Sequence, residues 1–261
     1  MLDASIVKLT GLADANQAWA VLFDPGERIA IKVNTLDMSA VWTHLPLVMA
    51  VTERLREVGV PAEQIVIWDR TTRELEYADY PVNWDGPGVR CYGTDGRYTG
   101  GWSLLGDGIG LSDILLSCDA LINIPILKVH ADGAGMSFAL KNHYGTFDRP
   151  SEYHHDRMPG GMSELNALPP IATRRRLIIG DALQIVRRGW SEAVQGDSIF
   201  MGFDPVALDT IGLQVIRNML VAEGLDSRPS EALAMPWMAS SAALGVGTND
   251  PAHIELREAT L

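Results

Sequence analysis

Residues 28–69 read RIAIKVNTLDMSAVWTHLPLVMAVTERLREVGVPAEQIVIWD. Residues 28–33 form a β-rich run that ends in the polar pair Asn34 and Thr35. Within 45–58, Leu47, Val48, Val51, Leu55 and Val58 recur close to the i, i+3, i+4, i+7 spacing of an amphipathic helix. Thr43 stands as its cap, and Gly59 is a natural stop. Residues 64–68, QIVIW, give a second strand ending at Asp69. Strand, helix, strand predicts a parallel pair with a right-handed crossover.

Further strands are expected at 120–126, at 176–180 before Asp181, and at 198–202 before Asp204. Asp204 and Pro205 then open a helix running to about residue 223. A last helix is expected over 229–244, with a short edge strand near 253–256. Two stretches are less regular. An excursion at about 81–110 is rich in glycine and turn dipeptides, and its Trp84, Tyr92, Tyr98 and Trp102 call for burial. A short helix is expected at 109–116. A lid-like connection occupies about 145–170. The expected fold class is therefore α/β: a mainly parallel sheet with helices on both faces, as a single domain over 1–261.

Composition bounds the function. Hydrophobic residues make up 47% and charged residues 21%, which suits a sizeable globular core. The net charge of −12 argues against nucleic acid as partner. No apolar run is long enough for a transmembrane helix, and residues 1–11 do not resemble a signal peptide, so the chain as written reads as cytoplasmic. Two cysteines exclude a disulfide framework and an intrinsic four-cysteine iron–sulfur cluster. Cys118 reads as a small core residue. Cys91 leaves two readings open, an exposed thiol and a buried strand residue.

Four of the six histidines fall in 127–156, LKVHADGAGMSFALKNHYGTFDRPSEYHHD. Cations and imidazoles at the end of a buried strand need anionic, metal or hydrogen-bonding partners. The strand ends supply candidates: Lys32 and Asn34, Asp69, Lys128 and His130, Asp181, and Asp204. In a parallel sheet these converge on one crevice, where α/β proteins bind ligands. Asp132 to Gly135 lead into an expected short helix over 137–143. Its N-terminus, with Gly133 and Gly135, is a candidate anion cradle beside Lys128 or Lys141. On that helix Lys141 and Asn142 face the site and His143 faces the core. For His44, near the end of the first strand, substrate binding in the crevice and capping of the helix are both open readings. His154, His155, Asp69, Asp181 and Asp204 are candidates for a divalent transition metal. For Asp204 and Asp209, capping and a carboxylate pair at a helix start both remain open readings.

Several segments together are familiar: IAIKVN (29–34), THLPLVMAVTERLREVG (43–59), INIPILKVH (122–130), ALKNHYG (139–145), LIIGDAL (177–183) and FDPVALD (203–209). In this order they resemble the bacterial and archaeal family known as domain of unknown function 362. The resemblance implies an α/β domain in a redox- or metal-linked setting, because many relatives carry a ferredoxin-like domain with two iron–sulfur clusters. This chain departs from those relatives, having two cysteines. The pattern of histidines and lysines is more distantly similar to the lactate racemase group with its nickel-pincer cofactor. No motif of that group matches position by position, so it assigns no residue.

Three functional expectations follow. The first is an enzyme acting on a small anionic substrate, with Lys128 and Lys141 binding the anion and His130 as general acid or base. The second is a non-enzymatic protein binding a metal or metallocofactor. The third is an accessory subunit serving a separate redox partner protein.

Overall fold

The computed structural model describes residues 1–36, 39, 41–130, 133–188 and 192–259. The chain runs α1 (Leu2–Thr10), α2 (Ala15–Leu22), β1 (Ile29–Lys32), α3 (Leu45–Glu57), β2 (Ile65–Trp68), α4 (Thr72–Tyr77) and β3 (Arg90–Cys91). Then come β4 (Tyr98–Leu104), β5 (Asp107–Ser112), α5 (Asp113–Ser117), β6 (Ala120–Asn123), β7 (Ile126–His130) and β8 (Gly135–Ser137). The last part holds α6 (Met158–Ala167), α7 (Pro169–Ala172), β9 (Arg175–Arg188), β10 (Glu192–Gly202), α8 (Pro205–Ala222) and α9 (Arg228–Ala243).

Among the described residues, eight strands form one sheet in the order β3-β2-β1-β6-β9-β7-β8, with β10 pairing β9 off that path. β1 is parallel to β2 and β6, β2 to β3, and β9 to β6 and β7. The pattern of β1 explains the layering. Ile29 and Ile31 enter one apolar cluster with Val48, Val51 and Leu55 of α3. Ala30 points the other way, into a cluster with Trp68, Met162 of α6 and Trp237 of α9. A strand covered on both faces must be apolar at successive positions, and all four residues of β1 are buried. The fold class is thus α/β with a mostly parallel sheet and helices around it.

Several expectations are corrected. β10 is antiparallel to β9, because the two are joined as a long hairpin instead of through a crossover helix. The excursion over 81–110 is, as expected, one of short strands and loops, with β3 and most of the β4–β5 hairpin. The helix expected at 109–116 begins only at Asp113, since 107–112 pairs with β4. Trp84 stays 42% exposed and stacks on Tyr92 at 4.5 Å, so partial cover by one ring replaces burial. No strand forms at 253–256, where a 3₁₀ turn, Pro251–His253, precedes irregular chain. Of the two cap readings, His44 and not Thr43 is the N-cap residue of α3; the Thr43 hydroxyl instead donates to the Ile124 carbonyl at 2.9 Å. The connection expected over 145–170 is not an irregular loop throughout. Its second half is α6, whose Met158, Met162 and Leu165 are core residues.

Candidate functional site

Register brings the first pair together. Lys32 sits opposite Trp68 across the β1–β2 ladder, so Lys32 and the next residue on β2, Asp69, leave the sheet at the same level. Lys32 Nζ donates to Asp69 Oδ1 at 2.6 Å and to the Val33 carbonyl at 2.6 Å. Asp69 Oδ2 accepts the Thr35 N–H at 2.6 Å and its hydroxyl at 3.0 Å. Burial pushes the Asp69 carboxyl upward, but Lys32 and the N–H donors outweigh it and hold the group below its ordinary value.

β6 continues through Ile124 and Pro125 into β7. That continuation carries Lys128 and His130 beyond the last ladder pairs of β1. Lys128 and His130 are two apart on a strand and share a face. Lys128 is 1% exposed, and its Nζ donates to Asn34 Oδ1 at 2.7 Å. Asn34 in turn donates to Asn142 Oδ1 at 3.3 Å, and Asn142 donates to Asn123 Oδ1 at 2.7 Å. This amide chain ties β1, β6 and the 3₁₀ turn Lys141–Thr146 to one lysine. Burial lowers the Lys128 ammonium to about 7; Asp69 opposes that shift, and Lys141 and Lys32 add to it. Burial likewise lowers His130 to about 3, helped by Lys141 and His154.

Lys141 is delivered differently. The expected helix over 137–143 is absent. Residues 135–137 pair with β7 as β8, and the chain turns only from Lys141. What fixes the turn is Asp209 on α8, which accepts the N–H of Ala139 at 2.7 Å and of Leu140 at 3.1 Å. Burial pushes Asp209 up to about 8, against the pull of those two N–H groups. Both Asp204 and Asp209 are thereby accounted for without a carboxylate pair: Asp204 caps α8 and Asp209 pins the loop. Lys141 Nζ lies 3.3 Å from His154 Nε2 and 4.5 Å from the centre of the Tyr144 ring. The His154 Nδ1 faces the Pro150 carbonyl at 2.9 Å. A carbonyl only accepts, so Nδ1 carries the proton and Nε2 accepts from Lys141. Burial, then Lys141, lowers His154 to about 4. No carboxylate lies within ion-pair distance of Lys141 among the described residues, and burial lowers it to about 8.

These groups surround one cavity of about 440 Å³. It brings together Lys32, Asn34, Asp69, Lys128, His130, Lys141, Asn142 and His154 from the expected set. It also recruits Tyr98 and Ser137, together with Arg70, Glu74, Tyr144 and Asp148, which the sequence did not single out. The sequence carries one further signal for the site: the chain has only four lysines, at 8, 32, 128 and 141, among its 21 basic residues. Three of the four line this cavity and are buried.

The remaining candidates lie outside the cavity. Asp181 is mid-strand in β9 and fully buried; its Oδ2 accepts the His44 N–H at 2.7 Å and meets His44 Nδ1 at 2.8 Å. That hydrogen bond raises His44 above its ordinary value. The helix expected after Gly133 and Gly135 as an anion cradle is replaced by strand β8 over Gly135–Ser137. Gly135 has φ +76°, and a Cβ on it would stand 2.1 Å from the Ser230 carbonyl, so it serves close packing against α9. Asp132, the first residue of that loop, lies outside the described residues. His155 is exposed beside Gly133. Asp204 lies near the opposite end of the sheet from the crevice, since β10 runs antiparallel; it accepts the Val206, Ala207 and Thr248 N–H groups. The metal candidates His154, His155, Asp69, Asp181 and Asp204 are thus dispersed, and no three His, Cys, Asp or Glu side chains are grouped for a metal among the described residues.

The two cysteines lie apart on the two faces of the sheet. Cys91 packs in the cluster on the α3 side of the sheet and Cys118 in the cluster on the other side. Burial pushes their thiols up to about 12 and about 11, so Cys91 is the buried strand residue of its two open readings. No helix among the described residues is long and apolar enough to cross a membrane.

Among curated proteins, none matches this chain. Among solved structures, the chain is similar to the lactate racemase apoprotein from Thermoanaerobacterium thermosaccharolyticum, at 12% identity and a TM-score of 0.48. The likeness covers 76% of this chain and 50% of that one, so the chain spans about half the length of that structure. Residues 29–214, more than half of the chain, match the family described as Domain of unknown function (DUF362), and the chain belongs to that family.

Proposed function

We propose that the cavity binds a small anion bearing a carboxylate or phosphate, and that the protein is an enzyme acting on it. The observation that carries this reading is Lys141, an ammonium buried at the cavity wall with no carboxylate partner among the described residues. A buried cation without a counter-charge is costly, and a bound anion would supply one. Lys128 adds a second positive group, and the volume suits a small metabolite. Lys32 contributes less, because Asp69 already neutralises it.

Lys128 at about 7 is poised to take or give a proton near neutrality. His130 at about 3 is a neutral imidazole, suited to hydrogen bonding more than to storing a proton. The scattered metal candidates give the metallocofactor reading no comparable support.

Thermal shift with inorganic phosphate and a panel of small mono- and dicarboxylates, at pH 6.5, tests the reading. At a hundredfold excess over Kd a ligand stabilises by about 2.7 kcal/mol. A rise in Tm that Lys141→Met removes is expected. A folded protein that none of these anions stabilises overturns it.

A further inference from the structure

We propose that the cavity holds a zwitterion, a small amino acid whose carboxylate meets Lys141 and whose ammonium meets Asp148. This rests on the anion-site reading above and deepens it by naming the cationic second end of the ligand.

Several charges on the cavity wall are already spent inside the protein. Asp69 takes Lys32 at 2.6 Å and the N–H groups of Thr35 and Arg70 at 2.6 Å and 2.8 Å. Glu74 takes Arg70 as an ion pair and the Thr71 hydroxyl at 3.0 Å. Lys141 and Asp148, opposite charges on the same wall, are not settled in this way. Lys141 is 8% exposed, and of the three N–H donors of its ammonium one reaches the His154 Nε2 at 3.3 Å. The Asp148 carboxylate accepts no hydrogen bond from a described residue. Arg149 Nε stands 3.8 Å from its Oδ1, and that guanidinium is engaged with the Gly108 carbonyl and with Glu152.

The fold keeps the two charges apart. Lys141 follows Leu140, whose N–H is held by Asp209 of α8 at 3.1 Å. Asp148 lies beyond the turn Lys141–Thr146 and is tied to β5. There Phe147 bridges Leu111, and the Asp148 N–H donates to the Gly110 carbonyl at 3.1 Å. Gly110 leaves room for the carboxylate, since a Cβ there would stand 3.2 Å from Asp148 Oδ2. Burial alone lowers Lys141, so no carboxylate reaches it, Asp148 included. A cation and an anion anchored to separate elements around one space of about 440 Å³ are a preorganised pair of opposite poles.

Desolvation decides the sign of the ligand's second group. At 34% exposure the Asp148 side chain is open to hydration. A ligand that fills the cavity displaces that hydration, and the carboxylate then needs a donor with a countercharge. An ammonium supplies both. A second carboxylate at the same point is repelled by Asp148. The two poles therefore favour an amino acid over the monocarboxylate that lacks its ammonium, and disfavour a dicarboxylate of the same length.

Calorimetry on the full chain at neutral pH compares acetate with glycine, propionate with β-alanine and butyrate with γ-aminobutyrate. Succinate serves as the dianion shaped like β-alanine, and inorganic phosphate probes the anion end by itself. At least one amino acid is expected to bind about tenfold tighter than its ammonium-free counterpart. Asp148→Asn keeps the shape and loses the charge, so it should cancel that gain and leave phosphate affinity unchanged. If Asp148→Asn does not fold, the matched pairs and succinate on the unsubstituted chain decide. The proposal is overturned by amino acids that bind no tighter than their counterparts, by a gain that survives in folded Asp148→Asn, or by succinate as the tightest ligand of the series. Phosphate binding in any of these cases leaves the anion site standing. Binding of neither phosphate nor any member of the series overturns both readings.

Discussion

Lys32 Nζ and Asp69 Oδ1 lie 2.6 Å apart with side chains 1% and 7% exposed, which makes this ion pair the sealed floor of the cavity. Gly145 leaves room for it, since a Cβ there would stand 3.0 Å from both atoms.

Removing one partner leaves the other charge buried. Lys32→Met is expected to cost about 3–5 kcal/mol in urea unfolding. Asp69 is held below its ordinary 3.8, so its contribution is present above that pH and lost as pH falls through the lowered value. The deficit of Lys32→Met should therefore shrink below about pH 4. A deficit that is the same at pH 3 and pH 7 would show that the pair contributes nothing through charge.

Anion binding should follow the ionisation of the two cavity ammonium groups whose values are lowered by burial. Lys128 titrates near 7 and Lys141 near 8, and a bound anion raises both. Affinity for phosphate is therefore full below pH 7 and falls as pH passes through 8, by up to about tenfold per pH unit for each lysine. At pH 8 binding should take up protons, visible as a calorimetric enthalpy that changes with the buffer's ionisation heat. Flat affinity from pH 6 to 9 would contradict this.

Asp209 is expected to act on the site through the turn it holds. Asp209→Ala strands the Ala139 and Leu140 N–H groups, at about 1–3 kcal/mol each. Lys141 follows Leu140 directly, so phosphate affinity should drop in a variant that is still folded at low temperature. Undiminished affinity in folded Asp209→Ala would leave Asp209 with a purely structural role.

Asp204 provides the contrast. Asp204→Ala removes the cap of α8 and should lower stability by about 1–2 kcal/mol. Its distance from the crevice predicts unchanged phosphate affinity. A loss of affinity equal to that of Lys141→Met would return Asp204 to the site.

Much of the α/β frame was legible in the sequence. β1, α3 and β2 fall close to where periodicity put them, because strands buried on both faces and one-faced helices leave strong patterns. Lys32, Asn34, Asp69, Lys128, His130 and Lys141 were legible as strand-end or loop polar groups, and they line one cavity. The illegible parts depended on partners distant in sequence. Residues 135–137 pair with β7 instead of forming a helix, and β10 turns back along β9. Neither choice is written in local propensity.

The sequence alone determined which residues are polar where a strand must end, and so which side chains compete for the crevice. Tertiary structure decided how they are partnered. Asp69 is consumed by Lys32 because parallel register puts the two at one level. Asp181 is consumed by His44, and Asp204 is carried away by an antiparallel strand. Lys141 meets a histidine and an aromatic ring in place of a carboxylate. Ionic partnership falls off steeply over a few ångströms, a scale set by packing and not by chain order.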